Sequence, residues 1–307
     1  MAVGLAACGS SGTTAAAHTD SNAVISIGIS EPAHLLPGSD ADASANQVLA
    51  SVFTPLVTFD AENRPVLDQA QSITTTDGTA WDIKIKPGWT FSNGEPVTAD
   101  SYINAWNYAA AGPNGHDLSQ IQGYAAPDTS NQLTGLKKVN DDEFSVTLAE
   151  PYIDFESELG NPAFLPLPKS AFASDGTIAP TFEQHLIGDG PFMMTPAGWQ
   201  HNKEIDVVRN PRYAGAEKPH IGGVDFKIYQ NRTTAYTAVR TNRLDVLATV
   251  PAADLASATG DFGDRYRHSP TADFSFLAFP AGDKDFSDVN VRKAISMAID
   301  RDAIVRS

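Results

Sequence analysis

Residues Trp81 to Asp100, WDIKIKPGWTFSNGEPVTAD, constrain the fold more tightly than any other stretch of this 307-residue chain. Trp81, Ile83 and Ile85 alternate with Asp82, Lys84 and Lys86, the period of two expected of a half-buried strand. Pro87-Gly88 ends that strand. Trp89 and Phe91 set two large apolar bodies beside Ser92-Asn93-Gly94, where Asn-Gly supplies the positive φ of a tight turn. Thr98 then predicts a helix N-cap, with Asp100 in the first turn and Tyr102, Ala105, Trp106 and Ala109 as the buried stripe. The segment reads as an aromatic-packed αβ corner. It holds no nucleophile, acid/base pair or ligand cluster.

Four further stretches carry recognisable patterns. Ile187 to Phe192 reads IGDGPF, Arg209 to Tyr213 reads RNPRY, Thr233 to Asp245 reads TTAYTAVRTNRLD, and Phe286 to Val305 reads FSDVNVRKAISMAIDRDAIV. Together with Trp81 to Asp100 they resemble, in order, the signature segments of the extracytoplasmic solute-binding proteins of the peptide/nickel class. Ile187 to Phe192 looks like that family's Gly-x-Gly-Pro-aromatic turn, and Arg209 to Tyr213 like its Arg-Asn-Pro-x-Tyr segment. Asn242 departs from the family, standing where Gly is usual. The resemblance implies an α/β (mixed α+β), two-lobed periplasmic-binding-protein-like fold with an extra inserted domain. Because such proteins are considerably longer, it also implies a fragment whose second lobe is largely missing.

Length by itself suggests roughly two domains. The net charge of -16 argues against a nucleic-acid or anionic-membrane surface, each of which needs clustered Lys and Arg. No window approaches the ~18 uninterrupted apolar residues of a spanning helix. The only cysteine is Cys8, in LAACGSSG. A lone terminal thiol is by itself uninformative, but this string resembles a bacterial lipobox, in which the cysteine carries diacylglycerol. Two acyl chains at ~0.8 kcal/mol per buried methylene anchor a protein stably. The seven residues before Cys8 lack a basic n-region and are too short for a full hydrophobic region.

Residues 1–23 therefore read as a lipoprotein signal remnant and flexible tether. Val24 to Ile29 is a predicted strand with Ile25, Ile27 and Ile29 on one face, and Asp42 to Val57 a predicted helix and connection. By resemblance, 24–57 and 183–268 form a discontinuous first lobe, 58–182 an inserted αβ domain, and 269–307 the start of the second lobe. Further predicted strands are Phe144 to Leu148, Val224 to Ile228 and Phe274 to Phe279. Ala235, Ala238 and Val239 mark a short helix, and a last amphipathic helix runs from Asn290 to Ser307 with no C-cap.

Catalytic and metal motifs are absent. Seven histidines lie at 18, 34, 116, 185, 201, 220 and 268, none at a spacing that puts two imidazoles on one metal. Neither His-Glu-x-x-His nor Gly-x-Ser-x-Gly occurs, and Gly188-Asp189-Gly190 runs straight into Pro191, a turn rather than a dinucleotide fingerprint. Glu156 and Glu158 do not share a helix face. Trp106 and Tyr108 could wall a pocket or belong to the core. No enzyme, cofactor or metal is expected.

The resemblance places ligand contact at Glu31, Pro32, Ala33 and His34, just after the first strand, where a peptide would add as a strand held main chain to main chain. Glu31 stands where the family often has an acidic residue beside the ligand; it could equally cap a turn. The implied partners are short peptides, the permease subunits of an ATP-binding-cassette importer, and the membrane through lipid on Cys8, with no nucleic acid. The implied protein is an extracytoplasmic monomer in the periplasm or cell envelope. A nickel chelate, haem, an opine or an oligosaccharide are alternative ligands for the same fold. A peptide-sensing ectodomain and a cell-envelope hydrolase are the competing roles.

Overall fold

The computed structural model describes residues 22–39, 42–126, 132–269, 276–280 and 282–306. Cys8 and the run that follows it lie outside the described residues. In chain order the elements begin with strand β1 (Val24–Ile29), helix α1 (Ala43–Val52), and strands β2 (Val57–Phe59), β3 (Pro65–Leu67), β4 (Ala70–Thr75) and β5 (Ala80–Ile85). Helix α2 (Ala99–Ala111), strands β6 (Leu136–Asn140) and β7 (Glu143–Thr147) and the single turn α3 (Phe155–Glu158) come next. Strands β8 (Phe192–Gln200), β9 (Glu204–Arg209) and β10 (Gly223–Ile228) precede helix α4 (Arg232–Arg240), strand β11 (Val246–Leu247) and helix α5 (Leu255–Phe262). Helices α6 (Val289–Ala298) and α7 (Arg301–Arg306) complete the described chain.

Two sheets dominate. The first has the order β11-β1-β10-β9-β8, and the second the order β4-β5-β7-β6. In the first sheet β1 lies between two parallel neighbours, β10 and β11, while β9 and β8 extend it antiparallel. A central parallel strand is covered on both faces, so β1 does not show clean alternation: Gly28 and Ile29 are buried and Ile25 and Ile27 only half-buried. Gly28 lets Leu244 pack closely on the strand, since a Cβ there would sit 2.7 Å from Leu244 Cδ2.

The second sheet and α2 realise the pattern of Trp81 to Asp100. Trp81, Ile83 and Ile85 are buried and Ala80, Asp82 and Lys84 exposed. Gly88 and Gly94 take φ of +84° and +93°, and Phe91 O accepts from Gly94 N at 2.8 Å. Ser101 Oγ accepts from Thr98 N at the start of α2, whose buried face includes Tyr102, Ala105, Trp106 and Ala109. Trp106 belongs to the core: it packs edge-on to Phe144 and Phe164 and donates from Nε1 to Phe164 O at 2.9 Å. Such aromatic pairs add about 0.5–1.5 kcal/mol each beyond burial.

Up to Asp261 the chain forms one compact unit, its two sheets joined by a continuous buried cluster. The turn at 188–190 ties them together. Gly190 N donates to Val52 O at 2.7 Å, and Ser92 N to Gly188 O at 2.8 Å. A Cβ on Gly188 would lie 2.0 Å from Val52 O, and one on Gly190 2.5 Å from Val52 C, which is why both positions are glycine.

Within the predicted helix and connection of Asp42 to Val57, helix α1 ends at Val52, because Phe53 turns extended and Thr54-Pro55 cannot continue a helix. Two expectations differ in detail. Residues 276–280 are not in a strand; 274 and 275 lie outside the described residues. The last helix is two: Ile299 is extended with ψ 116°, and Asp300 starts α7 by accepting from Ala303 N at 2.9 Å. Residues from Phe262 onward form a second compact unit, in which Asp288 caps α6 and Arg292 donates to the carbonyls of Phe286 and Ser287.

Candidate functional site

The three parallel strands β11, β1 and β10 end together. In open α/β sheets ligands bind outside the carboxyl ends of parallel strands, where the following helices present their N-termini. Here those ends surround a hollow of about 80 Å3, reached by Ile29 and Ser30 from β1, Tyr229 from β10 and Leu247 to Thr249 from β11. The first turns of α1 and α4 complete its wall through Ser44 and Arg232.

Local sequence chemistry places these pieces. Asp42 caps α1, its Oδ1 accepting from Ser44 N at 2.8 Å and Ala45 N at 2.9 Å, while its Oδ2 accepts from Ala33 N at 3.1 Å. One carboxylate thus fixes both the helix start and the chain leaving β1. Ser44 Oγ accepts from Ser30 N at 3.1 Å. Asn231 caps α4 by accepting from Thr233 N at 2.8 Å. Two positive helix ends and the exposed Arg232 give this mouth a preference for carbonyl or carboxylate oxygen. It offers hydrogen-bond donors, and no histidine, carboxylate or lysine lines it to activate a hydroxyl.

Glu31 to His34 continue directly from Ser30. Glu31 spends its carboxylate on the hairpin between β8 and β9: Oε2 accepts from Asn202 N at 2.7 Å and Oε1 lies 2.8 Å from His201 Nδ1. Asn202 has φ +59°, so this bond holds a strained turn. Of the two roles open for Glu31, turn support is the one with partners on the protein. Pro32 is buried, while Ala33 and His34 are exposed. His34 Nδ1 lies 3.3 Å from Glu183 Oε1, which also accepts from Leu35 N at 2.6 Å. Tyr108 is half-buried beside Phe172 and lines a separate open hollow of about 610 Å3. Among the described residues no group of three or more His, Cys, Asp or Glu is arranged to hold a metal.

Sequence reasoning missed Asp42, Ser44 and Arg232. Asp42 was legible as an N-cap; Ser44 and Arg232 carry no motif, and only the parallel pairing brings them together.

The most perturbed carboxylate sits elsewhere, at Asp189 inside the Gly-x-Gly turn. It is fully buried, accepting from Thr54 N at 3.0 Å and Gln69 Nε2 at 2.5 Å. Gln69 Oε1 in turn accepts from the buried Tyr102 hydroxyl. Burial outweighs these bonds and pushes the Asp189 pKa up to about 7, with Asp68 adding repulsion. Its partners are structural, and it faces no carboxyl-end hollow residue.

Residues 64–307 match the profile of the bacterial extracellular solute-binding proteins, family 5, middle region. This chain belongs to that family. Among relatives of the family 5 protein, the oligopeptide-binding protein OppA of Bacillus subtilis (strain 168) is 27% identical over 320 residues, covering 99% of this chain and 58% of its own length. The probable deoxycholate-binding periplasmic protein YgiS of Escherichia coli (strain K12) is 25% identical over 290 residues, covering 90% and 53%. The structure of the pheromone receptor PrgZ superposes with a TM-score of 0.76 at 22% identity, covering 93% of this chain and 58% of that one. The family 5 chain thus has the mixed α/β architecture of these binding proteins and spans a little over half the length of the relatives it matches. No helix among its described residues is long and apolar enough to cross a membrane.

Proposed function

We propose that this chain captures short peptides outside the cytoplasmic membrane and delivers them to the permease subunits of an ATP-binding-cassette importer, with no covalent chemistry. The observation that carries the reading is the match to an extracellular solute-binding family over residues 64–307. The exposed Ala33-His34 stretch, four to five residues beyond the end of β1 and with its Ala33 N–H held by Asp42, supports a peptide bound alongside it as an added strand. Main-chain bonding reads no side chains, so one receptor accepts many sequences. Pro32 and Glu31 serve this edge by fixing its course, and Arg232 with the start of α1 meets peptide carbonyl or carboxylate groups.

In this reading 24–57 and 183–268 act as the first lobe, 58–182 as the inserted αβ domain, and 269–307 as the start of the second lobe. Closure of two lobes shifts the population toward the form that a permease recognises. Cys8 carries the lipid that tethers a monomer to the cell envelope. A non-peptide ligand is the second reading, favoured by the relative named for deoxycholate.

Native mass spectrometry of the protein purified from cells tests the proposal. A ladder of short-peptide masses supports it, and a single non-peptide mass replaces it with the second reading. Release of products from a peptide library would overturn the assignment to a binding protein.

A further inference from the structure

A third hollow, of about 310 Å3, opens at the far end of α1. Ser44 and Gln47 of α1 reach the carboxyl-end site, whereas Ala50 and the C-cap Phe53 line this one, so the two hollows share the helix but no lining residue. The walls are apolar: Phe53, Pro55, Val57, Phe59 and Pro162. Four polar residues also line it, Thr54, Thr58, Asp68 and Tyr213.

Asp68 and Thr54 are not fully used by the fold. The half-buried Asp68 carboxylate makes no hydrogen bond or ion pair with any described residue; only its backbone N–H is taken up, by Leu56 O at 3.0 Å. Lys86, whose charge reaches Asp68, commits its ammonium to the carbonyls of Leu67 and Asp68 instead. Thr54 is 2% exposed, and its hydroxyl has no partner. It neighbours the Tyr213 hydroxyl without forming a hydrogen bond of ordinary geometry. Buried polar atoms left unpaired cost about 1–3 kcal/mol each, so a persistent orphan calls for an explanation.

The electrostatics select the occupant. Burial above all, then the neighbouring Asp68, Asp189 and Glu217, pushes the Tyr213 phenol up to about 12, and Asp68 is the carboxylate that lines the hollow itself. Tyr213 already draws a cation: Lys218 Nζ lies 5.1 Å from its ring centroid. An anion would be repelled by Asp68, and a neutral hydrocarbon would strand Asp68 and Thr54. A hard divalent cation needs six or more oxygens, and this hollow offers one carboxylate. A compact ammonium head satisfies Asp68 and Thr54, and a short alkyl tail fills the Phe-Pro wall.

We propose that this hollow, lined by Asp68, Thr54, Tyr213, Phe53 and Phe59, is a second binding site for a small alkylammonium ion. It is independent of the peptide reading and uses none of the residues placed in the carboxyl-end site.

Isothermal titration with n-butylammonium chloride tests it, with n-butanol and sodium butyrate as matched controls. The expected result is saturable binding of one equivalent of the amine, with butanol and butyrate each about tenfold weaker or worse. Asp68→Asn is expected to weaken the amine about tenfold, and Thr54→Val by a smaller factor, with the thermal midpoint of each variant measured to confirm folding. Equal binding of butanol and amine would reduce the hollow to an apolar crevice. No saturable heat through the millimolar range in the unsubstituted protein, or unchanged affinity in a folded Asp68→Asn variant, would also overturn the site. Peptide binding serves as the separate readout: its loss would count against the proposed function and leave this site untouched.

Discussion

Asp189 is a fully buried carboxylate whose surroundings disfavour its charge. Its folded-state pKa of about 7 stands above the ordinary 3.8. Between those values the native state keeps a proton that the unfolded chain has lost, so stability falls as pH rises from about 4 to 7. A shift of this size corresponds to roughly 4 kcal/mol across that window. Urea unfolding of the wild type at pH 5 and pH 8 is expected to show the loss, and Asp189→Asn is expected to flatten it. The titrating neighbours are Asp68, Tyr102 and Tyr213, and both tyrosines stay protonated throughout the window. Gly190 makes the complementary point about volume. Its Cβ would meet backbone, 2.5 Å from Val52 C and 2.6 Å from Phe53 N, so the neighbours cannot swing aside. Gly190→Ala is expected to cost about 3 kcal/mol, read as a lower urea midpoint with an unchanged slope.

Among the elements, α1 links the most parts. Its cap, Asp42, fixes two α1 amides and the exposed chain at Ala33, and its two ends line two different hollows. Asp42→Ala is expected to cost about 1–2 kcal/mol from the cap and to weaken peptide binding as the Ala33 segment is released. Loss of stability with unchanged peptide affinity, measured by titration, would separate the helix from the proposed edge. Helix α2 behaves differently. Its buried stripe was legible from spacing because one face meets the second sheet, and Trp106 sits at that contact. Helix α1 was legible as a helix running into a connection, whereas the contact that holds that connection, Thr54 N donating to Asp189 Oδ1, was not.

At the level of the whole molecule, the unit ending at Asp261 and the unit beginning at Phe262 differ in how much they bury. The first contains the continuous core, whereas α6 has no buried residue and exposes Val289, Val291 and Met297. Local opening is cheap where few apolar contacts are broken. Hydrogen exchange is therefore expected to be orders of magnitude faster in Val289–Ala298 than in Glu204–Arg209, where Ile205 and Val207 are buried. Comparable protection in the two segments would mean that α6 is stabilised by contacts beyond those described.

The linear chain determined its strands and turns wherever one face alone met the core. Trp81, Ile83 and Ile85 announced β5, and Gly88 and Gly94 announced its turns, because period and φ are local properties. Five separated motifs also carried the family. The tertiary structure decided what lay across distance: that Glu31 spends its carboxylate on a hairpin 171 residues away, that Asp42, Ser44 and Arg232 share one mouth, and that Asp189 is fully buried. Hydrogen-bond partners and desolvation are set by which segments meet, and no spacing along a sequence records that meeting.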